Sequence, residues 1–234
     1  ELEFAKEIVP QFNGFACVSE RLVNEVTELG ADPANVLYAP NTVDTDRFCS
    51  MDKQKCRDEL GLPQKDFIVA FVGHFIERKG PHRVLEAINS LDENVKAIFM
   101  GRGEQKPEGK KVLNASSVPN KELPIWLNAA DIFVLPTLAE GYCNAINEAM
   151  ACGLPVISSD IEDIRPQVRK NTGMLVPPQS SEALSEAIKF FKDNPNVTDE
   201  YGRNSLKLIE KKFKESRAKK IYKWLINSNY CEEI

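Results

Sequence analysis

Short apolar runs alternate along the chain with stretches whose apolar positions recur at helical spacing. The runs are five to seven residues long and contain many β-branched and aromatic side chains, as is typical of buried strands. Strands are predicted at 15–19, 36–40, 67–73, 96–101, 131–136, 154–159 and 173–177. Helices are predicted at 20–29, 81–90, 121–130, 144–152 and 181–193. This alternation predicts an α/β fold with a parallel, doubly wound sheet.

The last part of the chain has a different composition. Residues 207–225 predict a charged helix, or a pair of helices, as a C-terminal helical extension. Its basic residues are Lys207, Lys211, Lys212, Lys214, Arg217, Lys219, Lys220 and Lys223, and Tyr222 and Trp224 lie near its end. Attraction to anionic lipid headgroups is one interpretation of this stretch. A solvated helix face is the other.

Two polar segments follow predicted strands, at the sheet edge where doubly wound folds bind ligands. The loop 73–80 contains Arg78 and Lys79, and the corner 140–144 lies between a buried strand and a helix. Glu140 and Glu148, eight residues apart, offer carboxylates to sugar hydroxyls. Free N–H groups at the helix start, near residues 143 and 144, would favour anionic oxygens. The corner therefore suits a phosphorylated, polyhydroxylated ligand, although two glutamates that serve only solubility remain an alternative.

The same segments resemble a known family. The stretch AEGYCNAINEAMACGLPV is similar to the E-x7-E motif of family-four retaining glycosyltransferases, enzymes of the GT-B fold. Three other stretches resemble that family in the same order: FVGHFIERKG (71–80), LPIWLNAADIFVLPT (123–137) and GMLVPP (173–178). A further segment, APNTVDTDRF (39–48), is similar to its interdomain hinge. The resemblance implies a Rossmann-like C-terminal domain that binds the nucleotide-sugar donor.

It also implies a division of the chain. Residues 1–40 correspond to the tail of an N-terminal acceptor domain and the approach to the hinge, and residues 41–234 to the donor-binding domain. The chain starts at Glu1, and we interpret it as a piece of a longer two-domain protein. Because a GT-B active site forms between two domains, we expect this chain alone to bind donor without transferring sugar.

The resemblance assigns roles to individual residues. Lys79 would be the pyrophosphate lysine and Glu140 would hold the sugar hydroxyls, and these two are the predicted catalytic residues. Glu148 would accept hydrogen bonds from the ribose, and Val118 would lie beside the base. His74 stands where the family usually has an arginine. The predicted substrate-binding residues are Gly73, His74, Arg78, Lys79, Val118, Glu140, Gly141, Tyr142, Cys143, Asn144, Ala145 and Glu148.

The expected function is transfer of a sugar, with retention, from a nucleoside-diphosphate sugar such as a UDP- or GDP-sugar. The acceptor would be a glycan or a lipid-linked molecule in polysaccharide or glycoconjugate synthesis. Two other classes stay open: a binding module that holds a nucleotide sugar and transfers nothing, and a GT-B epimerase or phosphorylase. The wording of the E-x7-E stretch disfavours the epimerase and the phosphorylase.

No cofactor or metal is expected. Asp44-Thr45-Asp46 spells the D-x-D of metal-dependent transferases, but it lies in the hinge-like segment, where its carboxylates are expected to cap a turn or a helix start. The six cysteines form no C-x-x-C pair, and no histidines lie at zinc-ligand spacing from them. Reduced cytoplasmic thiols are the simpler interpretation.

Bulk properties exclude other classes. A net charge of -5 argues against a general nucleic-acid binder, which needs a basic surface. The 234 residues contain 42% hydrophobic residues and no long apolar run, so no segment is expected to span a bilayer. We therefore expect a cytoplasmic protein, with peripheral contact at the inner face of the membrane as an option left open by the basic stretch.

Overall fold

The computed structural model describes residues 2–213 and 215–227. Lys214 of the basic stretch and Cys231 lie outside the described residues. The chain divides into two compact units. The sheet unit comprises Val43–Lys212, and the terminal unit comprises the residues up to Thr42 together with those from Phe213 onward. The assignment of 1–40 to an acceptor domain and 41–234 to a donor domain stays a prediction.

The strands are, in chain order, β1 (Phe15–Cys17), β2 (Val36–Tyr38), β3 (Phe67–Val72), β4 (Val95–Met100), β5 (Val112–Ser116), β6 (Ile132–Leu135), β7 (Val156–Ser159) and β8 (Gly173–Val176). The helices are α1 (Leu2–Ile8), α2 (Glu20–Glu28), α3 (Lys53–Leu60), α4 (Pro81–Asn89), α5 (Leu123–Asn128), α6 (Asn144–Ala151), α7 (Ser181–Asp193), α8 (Pro195–Lys212) and α9 (Arg217–Asn227). Short 3-10 turns lie at Val9–Gln11 and Pro33–Asn35.

One parallel sheet forms the centre of the sheet unit. Its six strands run in the order β5-β4-β3-β6-β7-β8, and every neighbouring pair is parallel. The chain moves outward from β3 to β5, then crosses back and moves outward again from β6 to β8. The predicted parallel, doubly wound α/β sheet is therefore confirmed. The order reverses between β3 and β6, and ligands in such folds bind at that point.

The central strands are buried on both faces. All four residues of β6 and all four of β7 are buried, as expected where helices cover both sides of a parallel sheet. Phe71, Phe99 and Phe133 are fully buried, and the rings of Phe71 and Phe99 pack with centroids 5.7 Å apart. This core makes the strand ends rigid supports for the loops that follow them.

The structure differs from the sequence prediction at four elements, one of which is the unpredicted helix α1. Strand β5 was not predicted, because it is a half-buried edge strand with Asn114 at its centre and lacks an apolar run. Helix α3 was not predicted either, since its segment is almost entirely polar. The predicted terminal helices are a pair, but α8 begins at Pro195 rather than at residue 207. Gly202 in α8 lies so close to the carbonyl oxygen of Gly153 that no side chain fits, so packing overrides the low helix propensity of glycine there.

The terminal unit contains its own small parallel sheet, β1 beside β2. Helix α9 packs against this small sheet: Arg217 Nε donates to the carbonyl of Ala39 at 2.8 Å, and the ring of Trp224 covers Gly14. Tyr222 on the opposite side of α9 is 65% exposed. Among the described residues, no helix has both the length and the apolar character needed to span a membrane.

Candidate functional site

The loop after β3 is held in a fixed path by glycines and one buried ring. A side chain at Gly101 would collide with the carbonyl oxygen of Gly73, so the backbones after β3 and β4 approach closely. Phe75 is buried, and its N–H donates to the carbonyl of Arg102 at 2.8 Å. Gly80 enters α4 with φ 73°, a left-handed conformation that favours glycine. The loop therefore reaches α4 with Arg78 and Lys79 at a defined position.

A second loop, after β6, is bound to the first by hydrogen bonds. The N–H of Leu138 donates to the carbonyl of Arg78 at 2.8 Å, and Thr137 Oγ1 donates to the same carbonyl at 3.3 Å. Arg83, buried on α4, donates through Nη2 to the carbonyls of Glu77 at 2.7 Å and Pro136 at 3.1 Å. Sequence reasoning missed Arg83, although its place in the first turn of a helix after a glycine loop made it a visible candidate.

Lys79 and Glu140 meet where these two loops join. Lys79 Nζ donates to Glu140 Oε1, and their side chains are only 16% and 8% exposed. Arg78 Nη1 lies 4.0 Å from the same carboxylate oxygen and also donates to the carbonyl of Ala139. The two residues predicted to be catalytic, 61 positions apart in the sequence, are therefore direct partners at the point where the strand order reverses.

In the corner that follows Glu140, the backbone N–H of Cys143 already has a hydrogen-bond partner. The sequence predicts free N–H groups near residues 143 and 144, but the N–H of Cys143 donates to Gln167 Oε1 at 3.0 Å. Gln167 Nε2 donates back to the carbonyl of Cys143 at 2.8 Å. The prediction of a free N–H at Cys143 is therefore wrong. A buried amide side chain, 24 residues further along, already satisfies that group.

Gln167 also connects to the first turns of α6. Its Nε2 lies 3.4 Å from Asn147 Oδ1, and Asn147 Nδ2 donates to the hydroxyl of Tyr142 at 3.0 Å. Gln167 and Asn147 are both buried, and Tyr142 is half-buried. This network was not predicted, because a glutamine in the polar stretch IEDIRPQVRK carries no spacing or motif signal.

Cys143 lies inside the corner as a buried thiol. Burial raises its pKa to about 12, and the charge of Glu140 acts in the same direction. The backbone N–H groups of Ile146 and Ala145 and the charge of Lys79 act in the opposite direction but are weaker. A thiol with so high a pKa is almost entirely protonated at neutral pH and is a poor nucleophile. This agrees with the interpretation of Cys143 as a small buried residue in a tight corner, and its predicted place among the substrate-binding residues stays a prediction.

Glu148 lies on α6 and has a shifted pKa. Burial raises the pKa of its carboxyl, and the charge of Arg47 opposes that shift. Arg47 belongs to the hinge-like segment, where Asp44 Oδ1 accepts the N–H groups of Asp46 at 3.2 Å and Arg47 at 3.3 Å. The predicted turn-capping role is confirmed for Asp44. Arg47, which the sequence did not single out, gives Glu148 a positively charged neighbour.

The remaining predicted site residues all follow the carboxyl ends of strands or begin α6. Gly73 and exposed His74 come directly after β3, and half-buried Val118 follows β5. Gly141 precedes α6 and has no atom within 4 Å of where its side chain would be; Asn144 and Ala145 form the first turn of α6. In the described part of the chain, no group of three or more His, Cys, Asp or Glu side chains is arranged to hold a metal ion.

Lys212, at the end of α8, approaches this corner from another element. Its Nζ lies 5.4 Å from the centroid of the Tyr142 ring, a cation–π contact. Burial lowers the pKa of Lys212 to about 8, and the charge of Arg169 adds to this effect. The sequence placed Lys212 in a solvated or lipid-facing stretch, whereas the fold brings it against a predicted substrate-binding residue.

Comparison with known proteins identifies the chain. Residues 52–208 match the family model described as glycosyl transferases group 1. The chain belongs to this family. The match includes both loops and the corner, so the predicted family resemblance is confirmed.

Curated relatives carry names consistent with the family. A Bacillus subtilis protein named for teichuronic acid biosynthesis is 34% identical over 191 residues, which cover 78% of this chain and 49% of that protein. A Staphylococcus aureus glycosyltransferase of capsular polysaccharide biosynthesis is 28% identical, with 81% of this chain and 52% of that protein covered. The chain thus spans about half the length of these relatives.

Solved structures share the fold. Anabaena Alr3699/HepE, in complex with UDP, superposes with a TM-score of 0.85 at 19% identity, covering 97% of this chain and 67% of that one. Sucrose-phosphate synthase from Thermosynechococcus elongatus gives a TM-score of 0.80 at 23% identity, covering 89% of this chain and 56% of that one. The Rossmann-like architecture expected from the resemblance is therefore confirmed.

Proposed function

We propose that the sheet unit binds a nucleoside-diphosphate sugar and serves as the donor half of a retaining glycosyltransferase. The observation on which this depends is the Lys79–Glu140 pair, which joins a cation for phosphate and a carboxylate for sugar hydroxyls at the sheet's switch point. The names of the relatives support transfer as the reaction class, and a fold neighbour was solved with UDP.

Charge explains the proposed division of labour. Lys79 forms an ion pair with Glu140, and Arg78 lies close by. A bound diphosphate would replace Glu140 as the partner of Lys79 and Arg78, because phosphate oxygens carry more charge than a carboxylate and accept several hydrogen bonds at once. Glu140 would then turn to the sugar hydroxyls and orient the anomeric carbon. As the bond to the diphosphate breaks, Lys79 would stabilise the charge that develops on the leaving group.

The nucleoside would extend away from this pair along the same sheet edge. Glu148 would accept the ribose hydroxyls, and Arg47 would favour its ionised form. Val118, in the loop after β5, would lie beside the base. Retention would follow from attack by the acceptor on the same face as the departing diphosphate. We propose that this chemistry requires no metal, because Lys79 and Arg78 supply the positive charge.

We propose a glycan or lipid-linked acceptor, bound by a part of a longer protein. Exposed Tyr222, Leu225 and Ile226 on α9 lie beside Lys219 and Lys223, a combination of apolar and basic residues that favours an anionic membrane surface. Peripheral contact at the inner face of the membrane is the corresponding proposal for localisation. Binding of this chain to vesicles with and without phosphatidylserine, with Lys219→Glu/Lys223→Glu as the comparison, tests that contact.

Calorimetry with UDP-, GDP- and ADP-sugars tests the donor proposal. The chain is expected to bind one of the three, and the variant Lys79→Met should bind it far more weakly. Absence of binding to all three would overturn the proposal.

Turnover separates an enzyme from a binding module. Transfer to an acceptor is expected only from the longer protein, since the chain alone leaves the sugar open to water. A longer protein that binds the donor but neither transfers nor hydrolyses it would favour a binding module. Transfer by this chain alone would contradict the two-domain mechanism.

A further inference from the structure

Gln167 binds the corner as a neighbouring strand would. Its amide oxygen accepts the N–H of Cys143 at 3.0 Å, and its amide nitrogen donates to the carbonyl of the same residue at 2.8 Å. The side chain therefore satisfies both backbone groups of one residue. Gln167 is only 1% exposed, so water does not compete for these hydrogen bonds.

Gln167 is itself held firmly. It lies in the segment between β7 and β8, and its own N–H donates to the carbonyl of Ile164 at 2.8 Å. Ile164 is fully buried, and the N–H of Val168 bonds to the same carbonyl at 3.1 Å. The turn that presents Gln167 is thus anchored in the core on the β7–β8 side of the sheet.

A glycine and a tyrosine make up the backbone between Glu140 and Cys143. Gly141 lies between them with open space where a side chain would be, and glycine permits many backbone conformations. Tyr142 is connected back to Gln167 through Asn147, by hydrogen bonds of 3.0 and 3.4 Å. Gln167 is therefore the centre of the network that limits the movement of this corner.

We propose that Gln167 is a positioning residue of the donor site: by fixing the backbone of Cys143, it keeps Glu140, three residues earlier, in line with Lys79. The inference rests on the proposed donor function for its consequence, while its structural part can be tested without ligand. Gln167 would touch neither the nucleotide nor the sugar. It would act on donor affinity through the corner alone.

The chain offers a matched control for this test. Asn128, 4% exposed, also binds backbone groups with its amide: it accepts the N–H of Met51 at 2.7 Å and donates to the carbonyl of Cys49 at 2.9 Å. It ends α5 and precedes β6, so it lies at the opposite edge of the sheet. The variants Gln167→Leu and Asn128→Leu each remove one buried amide of this kind and are expected to lower stability similarly.

Amide hydrogen exchange of the ligand-free variants is the first measurement. Gln167→Leu is expected to speed exchange at residues 141–145 by more than about tenfold, whereas Asn128→Leu leaves these amides as in the parent chain. Equal protection of residues 141–145 in all three chains would overturn the positioning role. This outcome does not depend on which nucleotide sugar binds.

Donor binding is the second measurement, made by calorimetry with the same panel of UDP-, GDP- and ADP-sugars below the melting temperature of every variant. Gln167→Leu is expected to weaken the best ligand by between about 10-fold and 100-fold, and Asn128→Leu by less than about twofold. Parent-like affinity in Gln167→Leu, or an equal loss in both variants, would overturn the inference. If the parent chain binds none of the three ligands, the donor proposal fails, and the exchange result alone decides the role of Gln167.

The variant Gln167→Glu provides a further test, because the proposed hydrogen bonds predict a donor affinity that depends on pH. A protonated carboxyl can accept from the N–H of Cys143 and donate to its carbonyl, as the amide does, and burial would raise the pKa of this carboxyl. Donor affinity of Gln167→Glu is therefore expected to recover as pH falls from 8.5 to about 6. A pH profile identical to that of Gln167→Leu would contradict the proposed geometry.

Discussion

Two buried ion pairs lie at opposite ends of the strands of the same sheet, one at the amino ends and one at the carboxyl ends. Asp131, just before β6, accepts hydrogen bonds from Arg57 Nη2, Lys53 Nζ and the N–H of Ile68, each at 2.7 Å. Arg57 is equally well satisfied, since its other nitrogens donate to backbone carbonyls, among them that of Ala129 at 2.8 Å. At the carboxyl ends, Lys79 and Glu140 bind each other, and within the described residues only the more distant Arg78 adds a second ion-pair partner for Glu140.

The difference distinguishes a structural pair from a site that is prepared for a ligand. A buried charge is stable when hydrogen bonds satisfy all of its donors and acceptors, and the Arg57–Asp131 cluster meets that condition inside the protein. In the described part of the chain, the Lys79 and Glu140 side chains form hydrogen bonds only with each other, which leaves hydrogen-bonding capacity at the edge where doubly wound folds bind ligands. We expect breaking the first pair to affect folding and breaking the second to affect binding.

Asp131→Ala is expected to have the largest effect. It leaves Arg57 as an uncompensated buried charge and removes the acceptor of the Ile68 N–H, so the free energy of unfolding should fall by about 3–5 kcal/mol. Urea unfolding followed by circular dichroism measures this. At a temperature where the variant is folded, its affinity for the donor should match that of the parent chain. A loss below about 1 kcal/mol would mean that the cluster is not a structural centre.

Lys79→Met should show the opposite pattern. Loss of the charge-assisted hydrogen bonds to phosphate is expected to weaken nucleotide binding by about 2–3 kcal/mol, a factor of roughly 30 to 150. Its unfolding free energy should fall by less than that of Asp131→Ala, because the two loops remain bonded through backbone groups. Calorimetry and urea unfolding of both variants make the comparison. Equal binding by Lys79→Met and the parent chain would exclude Lys79 from the phosphate site.

Glu148→Gln is expected to weaken binding of free nucleotide by about 1.5–3 kcal/mol, because a charge-assisted acceptor for ribose is lost. The same change should stabilise the ligand-free chain near pH 7. Burial raises the pKa of Glu148 above its ordinary value of 4.5, so the unfolded chain releases this proton first, and stability falls as pH rises through that interval. Melting curves of the variant and the parent should therefore converge at pH 4 and separate by pH 7. A variant less stable than the parent at pH 7 would contradict this account.

Glu140→Gln should spare free nucleotide and weaken the nucleotide sugar by about tenfold. Removal of the carboxylate charge leaves Lys79 more available to phosphate, so UDP or GDP should bind at least as tightly as to the parent chain. Titrations with the nucleotide and with its sugar, side by side, test this division. Equal losses for both ligands in Glu140→Gln and Glu148→Gln would show that the two glutamates do not have separate roles.

The smallest expected effect is that of metal removal. Nucleotide affinity should be unchanged in EDTA, and Asp44→Asn/Asp46→Asn should bind as the parent chain does, because asparagine can also cap the turn. Calorimetric titration of the nucleotide, with and without EDTA and Mn²⁺, measures this affinity for the parent chain and the variant. Binding that disappears in EDTA and returns with Mn²⁺ would refute the metal-free proposal.

The sequence predicted the elements whose signal is local. Strand β3 and helix α7 were identified from apolar spacing within a few residues, and the partner loops of Lys79 and Glu140 from motif wording. Strand β5 was not predicted, because an edge strand needs no apolar run. The start of α8 was not predicted either, because the contact of Gly202 with Gly153 outweighs the low helix propensity of glycine.

By itself, the sequence determined most of the strands and helices, the family and the residues available for chemistry. Only the tertiary structure decided which of these residues are partners. The contacts of Lys79 with Glu140 and of Gln167 with Cys143 join positions 61 and 24 residues apart, and their existence depends on the strand order. Local patterns reflect the backbone preferences and burial of nearby residues, whereas hydrogen bonding of buried groups is satisfied by whatever the fold brings near. For that reason the N–H of Cys143 was expected to be free, and the fold instead gave it Gln167.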